Sequence, residues 1–147
     1  MRPAEIVVSA PSCPPPRPWH DGAVTDERAR VWVVDDQASF RRATTAALHA
    51  SSDFVLVGES ETGEAAVEFI QQGGVDIVLM DINMPGMGGI AATRQILSVR
   101  PDLIVVLMST YDAEDLPAAA WQCGAAGYVR KDRLSSDLLS RLWRAAG

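Results

Sequence analysis

From residue 30 onward the chain alternates short apolar runs with stretches of helical periodicity. Val31-Trp32-Val33-Val34 reads as a buried strand closed by Asp35-Asp36, and Ser39 to Ala50 as a helix. Phe54 to Glu59 predicts a second strand, followed by a helix from Gly63 to Gln72 that Gly73-Gly74 closes. Ile77-Val78-Leu79-Met80 predicts a third strand ended by Asp81; Met84 to Gly89 is a loop, and Ile90 to Arg100 a helix stopped at Pro101. Leu103 to Met108 is the fourth strand, a helix ends near Cys123-Gly124, Tyr128-Val129 is a short fifth strand, and Leu134 to Ala146 is the last helix. Five apolar strands alternating with five helices predict an α/β fold, a doubly wound five-stranded parallel sheet covered on both faces. In such sheets function gathers outside the carboxyl ends of the strands, at the topological switch point.

Those ends carry matched chemistry. The first predicted strand ends in Asp35 and Asp36, the third in Asp81, the fourth in Ser109 and Thr110, and the fifth runs into Lys131. Three neighbouring carboxylates repel unless a cation joins them, and an oxygen-only ligand set favours a hard ion such as Mg²⁺. The set suits phosphoryl transfer to a carboxylate: Asp81 as nucleophile, the metal on two phosphoryl oxygens, Lys131 on a third and Ser109 donating to one of them.

The segments Val33-Val34-Asp35-Asp36, Leu79 to Gly89, Leu107-Met108-Ser109-Thr110 and Gly124 to Lys131 resemble the receiver domain of bacterial response regulators, of the NarL/FixJ type and the stand-alone single-domain form. The resemblance runs from Arg30 to about Ala146 and implies the flavodoxin-like receiver fold. It implies Asp81 as phosphoacceptor, Asp35, Asp36, Asp81 and the backbone carbonyl of Asn83 as Mg²⁺ ligands, Lys131 as phosphate-binding lysine, and Ser109 with Tyr128 as the switch pair. It also implies a histidine kinase or phosphotransfer protein as donor. In the family the positions of Asn83 and Tyr111 tune dephosphorylation. The phosphatases with an aspartate nucleophile usually carry a second acid two residues on, where this chain has Asn83.

Composition adds three points. Of 13 basic residues only Lys131 is a lysine, so a slim ammonium stands where a planar guanidinium is no equivalent. The net charge of -6 argues against a nucleic-acid partner. No segment reaches the roughly 20 apolar residues of a membrane span and no signal peptide is visible, so a cytoplasmic protein without membrane insertion is expected.

Residues 1–29 differ from the receiver domain expected over 30–147. Six of the 9 prolines fall in Met1–Pro18, with Pro14-Pro15-Pro16 at the centre. Such a segment is extended: a solvated tail or a docking arm, with Ile6, Val7, Val8 and Trp19 as apolar anchors. Trp143 and Leu139 form a second apolar arc on the last helix, a candidate partner contact beside the plainer reading of packing at the domain edge. Cys123 is expected to be a buried core thiol. Pro117 predicts that the fourth helix starts late, with Asp115 as N-cap and residues 112–115 as loop. The expected function is a single-domain response regulator whose output runs through protein contacts with a partner, a large multisubunit assembly included. The alternative is a constitutive accessory subunit of such an assembly, in which phosphorylation is dispensable.

Overall fold

The computed structural model describes the backbone of residues 6–8 and residues 28–146. The sheet is built from β1 (Ile6–Val8), β2 (Ala29–Val34), β3 (Phe54–Ser60), β4 (Ile77–Asp81), β5 (Ile104–Ser109) and β6 (Gly127–Arg130). The helices are α1 (Ala38–His49), α2 (Gly63–Ile70), α3 (Gly88–Val99), α4 (Ala118–Gln122) and α5 (Ser136–Ala146). The strand order is β1-β6-β5-β4-β2-β3. The five strands from β2 to β6 are parallel, as their apolar runs predict.

Alternation within each strand divides the core into two halves. On one face Val78, Met80, Val105 and Leu107 pack with Ala66, Ile70, Ala92 and Ile96 of α2 and α3. On the other, Ile77, Leu79, Val106 and Met108 pack with Leu48 of α1 and with Leu138, Leu139 and Leu142 of α5. Both faces are covered, which is why the strands read as continuous apolar runs rather than alternating ones.

Three expectations change. The first is the number of strands: β1 pairs antiparallel with β6, Val7 opposite Tyr128, so Ile6–Val8 covers the edge of its own sheet. The second is the fourth helix. Pro117 is itself the N-cap, with ψ of 153°, and Ala113–Asp115 is a turn of 3-10 helix rather than loop. Proline lacks an N–H and restricts the residue before it to extended backbone, so the helix begins one residue beyond the ring. The third is Leu139, which is 1% exposed in the core and therefore is not a partner contact. Trp143 is half-buried against the same core cluster. Trp19 and Pro14, Pro15 and Pro16 lie outside the described residues.

Gly58 shows how tightly β2 and β3 fit. A Cβ there would stand 2.1 Å from the Trp32 ring, which lies across it and stacks on Phe69 at 6.0 Å.

Candidate functional site

Strand register brings the predicted residues together. Val34 pairs with Met80, so Asp35 follows on β2 beside Asp81 at the end of β4. Asp81 pairs with Met108, which places Ser109 next in line, and Ser109 pairs with Arg130, which places Lys131 at the far side. The strand order turns back between β2 and β4, so the cluster lies at the switch point of the sheet. One carboxylate oxygen from each of Asp35, Asp36 and Asp81 lies within 4.8 Å of the others.

Each acid has a different setting. Asp35 is fully buried, and its Oδ1 accepts the Gln37 amide at 2.8 Å. Lys131 Nζ lies 2.7 Å from the buried Asp35 Oδ2, a close ion pair. Asp36 is exposed. Asp81 is 2% exposed; its Oδ1 accepts the Asn83 amide at 3.2 Å and its Oδ2 faces Lys131 Nζ at 3.3 Å. Burial and then the neighbouring Asp35 charge push the Asp81 carboxyl up to about 6, against the opposing pull of Lys131.

This donor set fits a hard divalent cation. It is all oxygen, and its three carboxylates carry more negative charge than one lysine offsets. Asp35, Asp36 and Asp81 are the side chains that could hold it.

Ser109 is buried beside Asp81. Its hydroxyl accepts the Tyr111 amide at 3.2 Å and the Asn83 side-chain amide at 3.4 Å. Tyr128 points inward from β6, and its hydroxyl donates to the backbone carbonyls of Ser109 and Tyr111. Burial raises its phenol, which keeps the donor protonated. Arg130 bridges Asp112 and Asp132, each at 2.7 Å, so the loop after β5 is tied to the end of β6 by Tyr128 and Arg130 together. Tyr111 itself is 52% exposed at this loop. Cys123 is buried where α4 ends, away from the strand-end cluster.

Several supporting residues are not among the sequence candidates. Gly89 is one: a Cβ there would meet the Asp81 carbonyl at 2.0 Å, so only glycine lets α3 start against the end of β4. Glu64 accepts the Met87 amide at 3.3 Å and steadies the loop after Asp81. Arg41 binds the Asp35 carbonyl at 2.6 Å and Glu59 at 2.9 Å. Gln37 and Phe40 stand beside Lys131. Gly89 falls within the Leu79 to Gly89 segment that carries the resemblance; the others leave no such signal in the sequence.

A doubly wound sheet with three acids, a hydroxyl and a lysine at its switch point defines a receiver-type domain. The chain belongs to the response regulator receiver domain family, whose pattern matches residues 31–142. It is 34% identical to the transcriptional regulatory protein DegU of Brevibacillus brevis over 79% of this chain and 49% of that protein. It is 36% identical to the response regulator UvrY of Escherichia coli K12 over 76% of this chain and 51% of that one. The chain thus spans about half the length of the curated relatives it matches. Among solved structures it resembles the receiver domain of the response regulator NarL from Mycobacterium tuberculosis, at 34% identity and a TM-score of 0.73, covering 82% of this chain and 97% of that one. The response regulator domain of Thermotoga maritima CheB gives 28% identity and a TM-score of 0.70, covering 81% of this chain and 96% of that one. The likeness is thus to NarL/FixJ-type receivers of two-component systems. Among the described residues no helix is long and apolar enough to cross a membrane.

Proposed function

We propose that the domain takes a phosphoryl group on Asp81 from a histidine kinase or phosphotransfer protein, with Mg²⁺ held by Asp35, Asp36, Asp81 and the backbone carbonyl of Asn83. The observation that carries this is the convergence of Asp81 Oδ2, Lys131 Nζ and the buried Asp35 carboxylate at one strand-end pocket. When bound, the cation offsets carboxylate charge and shields the phosphoryl oxygens.

Asp81 reacts as the carboxylate. A carboxylate oxygen forms the new P–O bond while the P–N bond of the phosphohistidine donor breaks, and the leaving imidazole takes up a proton. Lys131, 3.3 Å from Asp81 Oδ2, neutralises a phosphoryl oxygen. Ser109 and the Asn83 side-chain amide supply further donors next to Asp81. The chain is a phosphoacceptor that takes part in its own phosphorylation and hydrolysis rather than a turnover enzyme.

Ser109 connects the site to the surface. Once its hydroxyl turns to a phosphoryl oxygen, its bonds with the Tyr111 amide and the Asn83 side chain are exchanged for that contact. The loop tied to β6 through Tyr128 and Arg130 then shifts its population of conformers. Output in this reading is a protein contact made at the face of α4, β6 and α5. The exposed Tyr111 and Trp121 at that end and the net charge of -6 support a protein rather than a nucleic-acid partner.

The test is incubation with acetyl phosphate and Mg²⁺ followed by intact mass. A gain of about 80 Da, one phosphoryl group, is expected in the unmodified chain and not in Asp81→Asn. No gain, or the same gain in Asp81→Asn, refutes the reading.

A further inference from the structure

Lys131 touches more than carboxylates. Its side chain leaves the 3-10 turn after β6 (Lys131–Arg133) and is only 9% exposed. The ammonium lies 4.6 Å from the centre of the Phe40 ring and donates to Gln37 Oε1 at 3.4 Å. Both come from the start of α1: Gln37 is its N-cap and Phe40 lies in its first turn. The same ammonium is 2.7 Å from Asp35 Oδ2 and 3.3 Å from Asp81 Oδ2.

These four contacts are of two kinds. A divalent cation among Asp35, Asp36 and Asp81 competes with the ammonium for Asp35 and repels it. It has no competing claim on the ring, which has no lone pair to coordinate a hard metal but does present a negative π-face to an ammonium. The Phe40 ring is itself packed against the core cluster that faces α1 and α5, so it is a fixed surface rather than a swinging one.

We propose that Phe40, assisted by the Gln37 amide oxygen, is a positioning residue that keeps the Lys131 ammonium at Asp81 when a divalent cation takes Asp35. The inference rests on reading Asp81 as the phosphoacceptor. Without the ring, the metal-loaded site would hold Lys131 by Asp81 and Gln37 alone. A phosphoryl group would then have to recruit the ammonium from a broader set of rotamers, which weakens its capture.

The sequence supplies its own probe, because Lys131 is the only lysine. Its εCH₂ group gives one lysine Cε signal in a ¹H–¹³C spectrum of the whole chain, and protons over a ring face move upfield. The upfield shift is expected to persist in the unmodified chain at saturating Mg²⁺, to remain in Phe40→Tyr and to collapse in Phe40→Leu. With Mg²⁺ saturating, beryllofluoride, a phosphoryl stand-in, is expected to bind Phe40→Leu about 2–5-fold more weakly and Phe40→Tyr within about twofold of the unmodified chain. Mg²⁺ affinity measured alone stays the same in both variants. Loss of the upfield shift when Mg²⁺ saturates the unmodified chain overturns the proposal, as does equal beryllofluoride affinity in Phe40→Leu. If the unmodified chain binds no beryllofluoride, the phosphoacceptor reading fails. The Mg²⁺ titration of the lysine signal then decides the positioning role by itself: persistence supports it and collapse overturns it.

Discussion

Lys131 Nζ and the buried Asp35 carboxylate meet at 2.7 Å, across the place where a divalent cation would bind. The lysine therefore opposes the metal it serves beside. Lys131→Met should raise Mg²⁺ affinity about 3–10-fold, because one repelling charge in a poorly solvated pocket is removed. The same variant should bind beryllofluoride at least about tenfold more weakly, for loss of one charge-assisted contact. Calorimetric titration with each ligand checks both signs, and weaker Mg²⁺ binding in the variant contradicts the geometry.

Asp81 sets a dependence on pH. Its carboxyl is raised from 3.8 to about 6, first by burial and then by Asp35. Between those values the folded chain holds more protons than the unfolded one, so this group makes stability fall as pH rises from 3.8 through 6. The penalty is absent below the lower value and complete above the upper one. Asp81→Asn should therefore be more stable than the unmodified chain at neutral pH without metal, by on the order of 1 kcal/mol after allowing for solvent screening. The difference should vanish near pH 4. Urea unfolding at both pH values measures it.

Gly89 fixes the start of α3 against Asp81. Gly89→Ala places a methyl 2.0 Å from the Asp81 carbonyl, a backbone atom that cannot step aside. The expected cost is roughly 2–4 kcal/mol, at or above the usual range for overpacking. Beryllofluoride binding should fall further than in Gly74→Ala, which strains the backbone at a φ of 83° but meets no atom within 4 Å. Equal effects of the two substitutions would show that the close approach does not position the acid.

The edge of β6 offers another check. Val7→Pro removes a backbone donor from β1 and should speed hydrogen exchange of the 127–129 amides that face it, while the amides of α5 keep their protection. Unchanged exchange at β6 contradicts the pairing.

Much of this molecule was legible in its amino-acid order. Parallel strands buried on both faces leave apolar runs such as Ile77 to Met80, and a polar residue that ends such a run marks the functional edge. Asp35, Asp81, Ser109 and Lys131 were visible for that reason. Leu139 was misplaced because helical periodicity gives the angle between two residues but not how wide an arc the sheet covers, and α5 buries a broad one. Ile6–Val8 looked like tail because three apolar residues among prolines carry no periodicity; only the edge they pair with makes them a strand. Phe40, Arg41 and Glu64 act on the site through contacts between segments far apart in sequence or through side-chain direction, and neither leaves a pattern in composition or spacing.

The central claim is that Asp81 carries the phosphoryl group. Its most direct test is borohydride reduction after treatment with acetyl phosphate and Mg²⁺, which converts an aspartyl phosphate to homoserine, followed by peptide mass spectrometry. Homoserine is predicted at Asp81 alone; homoserine at Asp35 or Asp36 instead, or at no aspartate, contradicts the account.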